Sequence, residues 1–217
     1  DVGTTGTITI GGSGSQTSLG TCQIGTSAAW TAGASGKLNS SLNFDSTDDR
    51  IVLPSDVGLG TQEFTASIWV KQKSYGVSGG ACRPYISDWN TWNPGAQKGF
   101  ILRTFDVQQY PSFWLADGVN YYTINSSKNI PLNKWTHIVG VFKANSIYKI
   151  YMNGEEVGSG TAPTQYVKET TTPIYLGYSG VNTGYFDGQL DDARIYNYAL
   201  TPTQIKNIYN NGAINFQ

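Results

Sequence analysis

One segment of the chain is rich in aromatic and polar side chains of the kind that recognise ligands. Tryptophans and a tyrosine stand among aspartate, asparagine and arginine in a stretch from Tyr75 to Lys98, which we interpret as a long loop. Aromatic rings stack on the C–H face of a pyranose, while planar amides and carboxylates pair with its hydroxyls. The sequence therefore predicts a saccharide site formed by Arg83, Tyr85, Asp88, Trp89, Asn90 and Trp92.

The alternative is a structural role for the two tryptophans of this segment. Trp89 and Trp92 would then pin a long loop onto the body of the domain, which is a common way to order such a loop. Other tyrosines could extend a sugar-binding surface, although strand tyrosines more often pack at a rim. These are Tyr110, Tyr121, Tyr122, Tyr178 and Tyr185.

Three aspartates indicate a cation site of a structural kind. Asp191 and Asp192 are adjacent in a predicted strand, so their carboxylates point to opposite faces, and an inward one is costly without a cation. The turn at 45–49 supplies further oxygens, and calcium takes about six to eight oxygen ligands. We therefore predict a structural calcium ion bound by Asp191, Asp45 and Asp48, with backbone carbonyls completing its shell.

The alternative to a metal site is ordinary pairing. Asp45 and Asp48 would then be turn residues whose carboxylates bond their own backbone. Asp191 would pair with Arg194 or with Arg50 instead of with a cation.

Catalytic constellations are not evident. His137 is the sole histidine, and no serine or cysteine partner for it can be identified in the sequence, so we expect a structural role. The glutamates are Glu63, Glu155, Glu156 and Glu169. Their spacing does not indicate the close pair of carboxylates that a retaining glycosidase needs. We predict that the protein is not an enzyme.

The two cysteines allow a disulfide but not a metal site. Cys22 and Cys82 do not form a Cys-x-x-Cys pair, and with a single histidine they offer too few ligands for zinc. A Cys22–Cys82 bridge is expected if the compartment is oxidising. Two buried free thiols are the alternative.

Composition restricts the class of protein. The 217 residues suit one all-β domain, with 26 glycines, 13% aromatic and only 13% charged residues. A net charge of −1 gives no electrostatic footprint for nucleic acid, and no apolar run is long enough to insert into a membrane. Because the chain begins at Asp1 without a signal peptide, we interpret it as a processed product or an excised domain.

Period-two alternation predicts many of the elements that must carry these residues. The segment 64–71 places Phe64, Ala66, Ile68 and Val70 on one face of a strand. Asn153-Gly154 is a strong hairpin signal, since both central positions of a type I′ turn need positive φ.

The two ends of the chain differ in character. Residues 1–27 are rich in Gly, Ser and Thr and form either a linker or a first strand, so we place the domain at residues 28–217. Near the C-terminus, Thr201 and Gln204 form a capping box around Pro202. Apolar residues then follow at helical spacing, which predicts one short helix.

The order of several short motifs resembles that of bacterial laminin-G-like domains, which have the concanavalin A-like fold. The motifs are Ala29–Gly33, Leu42–Asp49, Phe64–Lys71, Lys134–Val139, Ile150–Gly154, Ile174–Gly177 and Gly184–Thr201. The resemblance implies an all-β, two-sheet antiparallel jelly-roll sandwich in which the strand of Asp45 lies beside that of Asp191.

The resemblance also implies a function class. Such domains are usually extracellular and usually non-catalytic, and they include sugar-binding modules and adhesion domains. We therefore expect a secreted or cell-surface module that binds a polysaccharide or other glycan. The alternative is a structural or adhesion domain of a surface protein that contacts a protein partner.

Overall fold

The structure is a computed structural model that describes most of the chain. The described residues are 7–9, 15–16, 36–38, 41–53, 58–76, 82–89, 95–105, 107–169, 172–180 and 184–213. Within them the elements are β1 Thr7–Thr9, β2 Ser15–Gln16, β3 Leu42–Asp45, β4 Arg50–Leu53, β5 Glu63–Gln72, β6 Arg83–Ser87, β7 Phe100–Thr104, β8 Pro111–Ala116, β9 Tyr121–Asn125, β10 Thr136–Lys143, β11 Ile147–Met152, β12 Glu155–Ser159, β13 Ile174–Leu176, β14 Asp187–Tyr196 and α1 Pro202–Ala213.

The strands form two sheets that enclose one core. An eight-stranded sheet has the order β2–β1–β4–β13–β6–β7–β8–β9, and a six-stranded sheet has the order β12–β11–β10–β5–β14–β3. The pairings are antiparallel throughout the described strands. This confirms the predicted two-sheet jelly-roll sandwich with one short C-terminal helix.

Side-chain alternation fills the space between the sheets. Strand β5 points the predicted residues Phe64, Ala66, Ile68 and Val70 inward, where all four are fully buried. Facing strands β7 and β8 contribute Phe100, Leu102, Phe113 and Leu115 to the same core. The residues between these positions, among them Trp114 on β8, therefore point out of the sandwich.

The outer face of the six-stranded sheet is covered by α1. Ile205 and Leu200 pack on Val139 and Val141 of β10 in a second apolar cluster. The predicted capping box is present, since the Gln204 N–H donates to Thr201 Oγ1 at 3.3 Å and the Thr201 N–H donates to Gln204 Oε1 at 2.8 Å. The helix is neither long nor apolar enough to cross a bilayer, and no other described helix is either.

Local turn chemistry also follows the sequence. Asn153 and Gly154 both have positive φ, at 52° and 79°, as the predicted hairpin between β11 and β12 requires. At the other end of the chain, β1 pairs with β4, with Ile8 opposite Ile51. The domain boundary placed after residue 27 stays a prediction.

Candidate functional site

The segment predicted to be a long recognition loop contains a buried strand. Strand β6 lies inside it, and a β-bulge between Pro84 and Ile86 breaks the alternation so that Tyr85 and Ile86 both enter the core. Tyr85 is 0% exposed, and its hydroxyl donates to Gln72 Oε1 at 2.8 Å. A ring enclosed in this way offers no face to a sugar.

Asp88 is also an interior residue in the structure. Its carboxylate accepts a hydrogen bond from the Tyr166 hydroxyl and another from the Phe100 N–H at 2.5 Å. Burial raises the pKa of Asp88 to about 7, although both hydrogen bonds oppose the rise. Gly99 is required beside it, because a Cβ there would lie 2.4 Å from the Asp88 carbonyl oxygen. Asp88 therefore fixes the ends of β6 and β7 instead of facing a ligand.

Arg83 and Trp89 have structural contacts as well. The guanidinium of Arg83 donates to Ser46 Oγ at 2.8 Å and to the Tyr185 carbonyl oxygen at 2.9 Å. Trp89 is 0% exposed and packs its edge against Trp114, with ring centroids 6.3 Å apart. Asn90 and Trp92 lie outside the described residues, so their predicted role in a saccharide site stays a prediction.

A different aromatic pair stands on the outer face of the eight-stranded sheet, and sequence reasoning missed half of it. Trp114 of β8 and Tyr121 of β9, here called the platform, have ring centroids 5.0 Å apart and planes within 4° of each other. Tyr121 is 49% exposed, which leaves the far side of the stack open to solvent. The signal for Trp114 was its position between Phe113 and Leu115, whose inward direction forces the tryptophan outward.

Buried groups support the platform from below. The guanidinium carbon of Arg103 lies 4.3 Å from the Trp114 ring centroid and 4.4 Å from that of Phe105. Trp114 Nε1 donates to Ser112 Oγ at 3.2 Å, which fixes the orientation of the ring. The ring of Trp114 is therefore held in one orientation before any ligand arrives.

Polar side chains continue the platform along the edge strand. Thr123 and Asn125 of β9 share its outward face, because Thr123 pairs with Trp114 and Asn125 pairs with Ser112. Both are exposed. The strand thus presents an aromatic ring, a hydroxyl and an amide in a row, which is the combination that stacks on and hydrogen-bonds a sugar.

Three tyrosines form a second group on the same outer face, here called the tyrosine cluster. Tyr178 and Tyr185 stack with centroids 4.7 Å apart, and Tyr175 meets Tyr178 edge-on at 5.1 Å. The guanidinium carbon of Arg50 lies 5.8 Å from the Tyr178 centroid. Burial raises the pKa of Tyr178, with smaller contributions from the neighbouring tyrosines. All three rings are partly exposed.

The other two tyrosines considered in the sequence do not join these groups. Tyr122 donates its hydroxyl to Asp117 Oδ2 at 2.9 Å and packs against the core. Tyr110 is half-buried just before β8.

The predicted calcium ligands are only partly brought together. Asp45, Asp48 and Asp49, here called the acidic turn, each place one carboxylate oxygen within 4.8 Å of the others. Asp191 is not among them, since β14 pairs with β3 so that Asp187 lies opposite Asp45. Asp191 lies four positions further along β14 than Asp187, at a distance of roughly 13 Å from it.

Asp191 has another role. Its Oδ2 accepts the Leu38 N–H at 2.7 Å, so it holds the 36–38 segment against the six-stranded sheet. Burial raises the pKa of Asp191, and that backbone bond opposes the rise. The alternative to a cation was an ion pair of Asp191 with Arg194 or Arg50, but Arg194 pairs with Asp192 at 2.6 Å, because a bulge follows Asp191 in β14.

The acidic turn could hold a cation with its own oxygens. Asp45 Oδ1 caps the Thr47 N–H at 2.8 Å, and Asp49 Oδ2 accepts the Asp45 N–H at 3.0 Å, which leaves further carboxylate oxygens in the group. Arg83 contributes competing positive charge through its bond to Ser46 in the same turn. Oxygen-only ligands fit calcium, which remains a prediction here with Asp49 in place of Asp191.

His137 has a serine partner that the sequence did not reveal. Ser67 Oγ lies 2.8 Å from His137 Nε2, yet both residues are 0% exposed under α1, where Tyr209 stacks at 6.2 Å from the histidine. Burial, with a smaller contribution from Arg194, lowers the pKa of His137 to about 4. The expected structural role of His137 fits this geometry, since no substrate reaches the pair as it stands.

Cys82 is a buried free thiol in the structure. Its sulfur lies in a small apolar cluster with Trp89, Ile101 and Ala116 on the outer face of the eight-stranded sheet. Cys22 lies outside the described residues, so the Cys22–Cys82 bridge stays a prediction.

Solved structures with the same fold include domains in complex with oligosaccharides and binding domains of toxins. One is domain 4 of AbnA, a GH43 extracellular arabinanase from Geobacillus stearothermophilus, in complex with arabinotriose, with a TM-score of 0.65 and 23% identity over 94% of this chain and 87% of that one. A second is the CBM40 of the Ruminococcus gnavus IT-sialidase bound to sialyllactose, with a TM-score of 0.63 and 16% identity over 79% of this chain and 97% of that one. A third is the binding domain of Paraclostridial Mosquitocidal Protein 1, with a TM-score of 0.65 and 17% identity over 82% of this chain and 45% of that one.

These identities establish likeness of fold, and the family is established by sequence. No curated protein matches the chain. A family model described as the concanavalin A-like lectin/glucanases superfamily matches residues 45–206, which is most of the chain. The chain therefore belongs to the concanavalin A-like lectin/glucanase superfamily.

Proposed function

We propose that this protein is a non-catalytic, extracellular carbohydrate-binding module. The observation that carries the proposal is the platform, in which an exposed Tyr121 ring is stacked on an oriented Trp114 beside a hydroxyl and an amide. Family membership supports it, as do structural neighbours that bind arabinotriose and sialyllactose. Exposed aromatic rings flanked by neutral polar groups are what a sugar needs and what few other ligands need together.

The platform suits a sugar that stacks on its open side. A pyranose or furanose would cover the solvent face of Tyr121 with its C–H groups, while Thr123 and Asn125 bond its hydroxyls. Two charged residues beside the platform, Arg103 and Asp117, are already engaged. Arg103 lies buried behind Trp114, and Asp117 caps the β8–β9 turn through Val119 and Asn120. A neutral sugar therefore fits better than an acidic one.

Rigid support makes such a shallow site effective. Trp114 is fixed by Arg103, by the edge of Trp89 and by its bond to Ser112, so little side-chain freedom is lost when a ligand binds. Tyrosine likewise contributes a large contact area at low entropic cost, because it has two side-chain torsions. The residues first expected to touch the sugar, Asp88 and Trp89, would serve it indirectly as scaffold.

Calcium at the acidic turn belongs to the proposal as a structural cofactor. The turn joins β3 to β4 and is tied by Arg83 to the strand that leads to Trp89. A bound ion would stabilise this corner without contacting the sugar. Its presence is independent of the platform, and the two are tested separately.

The test is glycan binding by matched tyrosine variants. Arabino-oligosaccharides, sialyllactose and a panel of plant and microbial glycans would be titrated calorimetrically into the protein and into Tyr121→Ala, Tyr121→Phe and Tyr198→Ala. Tyr198 is a suitable control, since it is 44% exposed and lies near α1. We expect Tyr121→Ala to weaken binding at least about tenfold, Tyr121→Phe to keep most of it, and Tyr198→Ala to leave it unchanged. Equal affinities for all four proteins, or no binding to any glycan at millimolar concentration, would count against the proposal.

Protein adhesion is the second candidate, and one feature favours it. Val107 and Val119 are 59% and 63% exposed in the turns at the two ends of β8, so apolar side chains flank the platform. Protein interfaces use such apolar and aromatic patches more than glycan sites do. A glycan screen without hits, combined with a protein partner whose binding is lost in Val119→Asp, would favour adhesion.

A further inference from the structure

The platform and the tyrosine cluster lie on one row of the eight-stranded sheet. Strand pairing aligns Tyr175 with Ser87, Ser87 with Ile101, and Ile101 with Trp114, and Trp114 is next to Thr123 on the edge strand. Residues paired in this way share a face, so the row crosses the outer face at a right angle to the strands. With strands about 4.8 Å apart, Tyr175 and Trp114 are roughly 14 Å apart.

Each end of this row presents the same chemistry. The platform has a stacked tyrosine and tryptophan, and the tyrosine cluster has a stacked pair with a third ring edge-on to it. Each end also has a guanidinium against a ring, from Arg103 at one end and Arg50 at the other. Two partly exposed aromatic sites on one face, separated by several strand widths, are more than a single terminal sugar can cover.

Trp89 joins the two ends. The ring of Trp89 packs against that of Trp114. A Cβ placed on Gly180 would lie 2.8 Å from the Trp89 carbonyl oxygen and 3.4 Å from the Tyr175 ring, so Gly180 lies close to both residues. Gly180 has a φ of 81°, so the loop carrying Tyr178 turns closely over the Trp89 backbone. The buried Trp89 therefore fixes the spacing between the platform and the tyrosine cluster, which keeps both ends in register for one ligand.

We infer that the two aromatic groups are subsites for one extended glycan chain, which reaches from Tyr121 to Tyr178 over the buried Ser87 and Ile101 that lie between them. This rests on the proposed function and specifies its substrate class. The module binds internal stretches of a polysaccharide and not a terminal sugar. Contacts at both ends act together, because the second is made within an already bound chain.

Chain length tests the inference directly. Affinities would be measured by calorimetry for the mono-, di-, tetra- and hexasaccharides of arabinan, xylan, cellulose and mannan. The same series would be measured with Tyr178→Ala, Tyr178→Phe and the control Tyr198→Ala. We expect the wild type to bind the hexasaccharide at least about tenfold more tightly than the disaccharide. Tyr178→Ala should abolish this gain, so that the hexasaccharide binds no more tightly than the disaccharide, whereas Tyr178→Phe should retain it.

The outcomes separate this inference from the proposed function. Length-independent affinity that is lost in Tyr121→Ala but not in Tyr178→Ala would overturn the extended-chain inference and leave the platform intact. Loss of affinity for every length in Tyr178→Ala, in a variant that unfolds thermally like the wild type, would also overturn it, since the tyrosine cluster would then be the primary site. If Tyr178→Ala unfolds early, Tyr175→Ala gives the same test from the other side of the cluster.

Discussion

Two buried titratable groups, one on each side of the core, should give this protein opposing pH dependences that nearly cancel. Asp88 is fully buried against Tyr166, and its pKa is raised from 3.8 to about 7. His137 is buried beside Ser67, and its pKa is lowered from 6.5 to about 4. The change we consider is Asp88→Asn. It keeps a carbonyl oxygen for the Phe100 N–H and offers an amide to the Tyr166 oxygen.

The sign of each contribution follows from proton binding. Between about pH 4 and 7 the folded state holds a proton on Asp88 that the unfolded chain has released, so this group makes the free energy of unfolding fall as pH rises. With about 1.4 kcal/mol for each pKa unit, the fall approaches about 4 kcal/mol. His137 changes the free energy of unfolding in the opposite direction. Between about pH 4 and 6.5 the unfolded chain binds a proton on His137 and the folded state does not. Its contribution rises with pH by about 3 kcal/mol.

Removing the Asp88 carboxylate should leave the pH dependence contributed by His137 unopposed. We expect Asp88→Asn to gain stability relative to the wild type as pH rises from about 4 to 8, by an amount on the order of 4 kcal/mol, with the change centred between the two pKa values of Asp88. Urea unfolding at about five pH values measures it, and the quantity to plot is the difference between variant and wild type. All other side chains are the same in the two proteins, so their contributions cancel in that difference.

His137→Gln is the matched variant, since a glutamine can still bond Ser67 but does not titrate. Its difference from the wild type should run with the opposite slope, losing stability relative to the wild type as pH rises. Parallel pH profiles for wild type and Asp88→Asn would refute the reasoning. They would mean that Asp88 keeps nearly the same pKa in the folded and the unfolded chain.

Three further perturbations test packing, capping and the proposed cation. Gly140→Ala should destabilise the fold by about 1–3 kcal/mol in urea unfolding, because the new Cβ would lie 2.9 Å from the buried Phe113 ring; an unchanged midpoint would show that the ring can yield. Thr201→Ala should cost about 1 kcal/mol by removing the cap from Gln204, while Thr201→Ser should cost little, and equal stability of the two would deny the cap a role. Calcium should raise the melting temperature of the wild type and not that of Asp48→Asn, as followed by circular dichroism with and without chelator; a chelator-insensitive melting curve would remove calcium from the proposal.

Alternation and turn chemistry made most of the fold predictable from the sequence. The inward set on β5, the hairpin at Asn153 and the capping box at Thr201 depend on neighbours within a few residues, and all are present. Trp114 could have been placed by the same logic. Phe113 and Leu115 on either side of it point into the core, so a tryptophan between them must point outward.

What sequence reasoning missed lies where the alternation is interrupted. The bulge in β6 points both Tyr85 and Ile86 into the core, so a segment predicted to be a recognition loop contains a buried strand. A second bulge after Asp191 moves the ion pair of Arg194 to Asp192. The register of β14 against β3, which puts Asp187 and not Asp191 opposite Asp45, is set by long-range packing that no local pattern reports.

One outer face of the sandwich is covered by α1 and the other stays partly exposed, and this difference supports recognition on the exposed face. On the six-stranded sheet, apolar side chains such as Val139 and Val141 are covered by α1 and gain their stability from that burial. On the eight-stranded sheet, the outward positions that stay partly open include the tyrosines and the tryptophan of the two aromatic groups, whose side chains each carry a polar atom. A face needed only for folding would gain more from aliphatic residues under a cover. Rings that stay exposed, rigidly held and matched at both ends of one row are better explained by a ligand that covers them in turn.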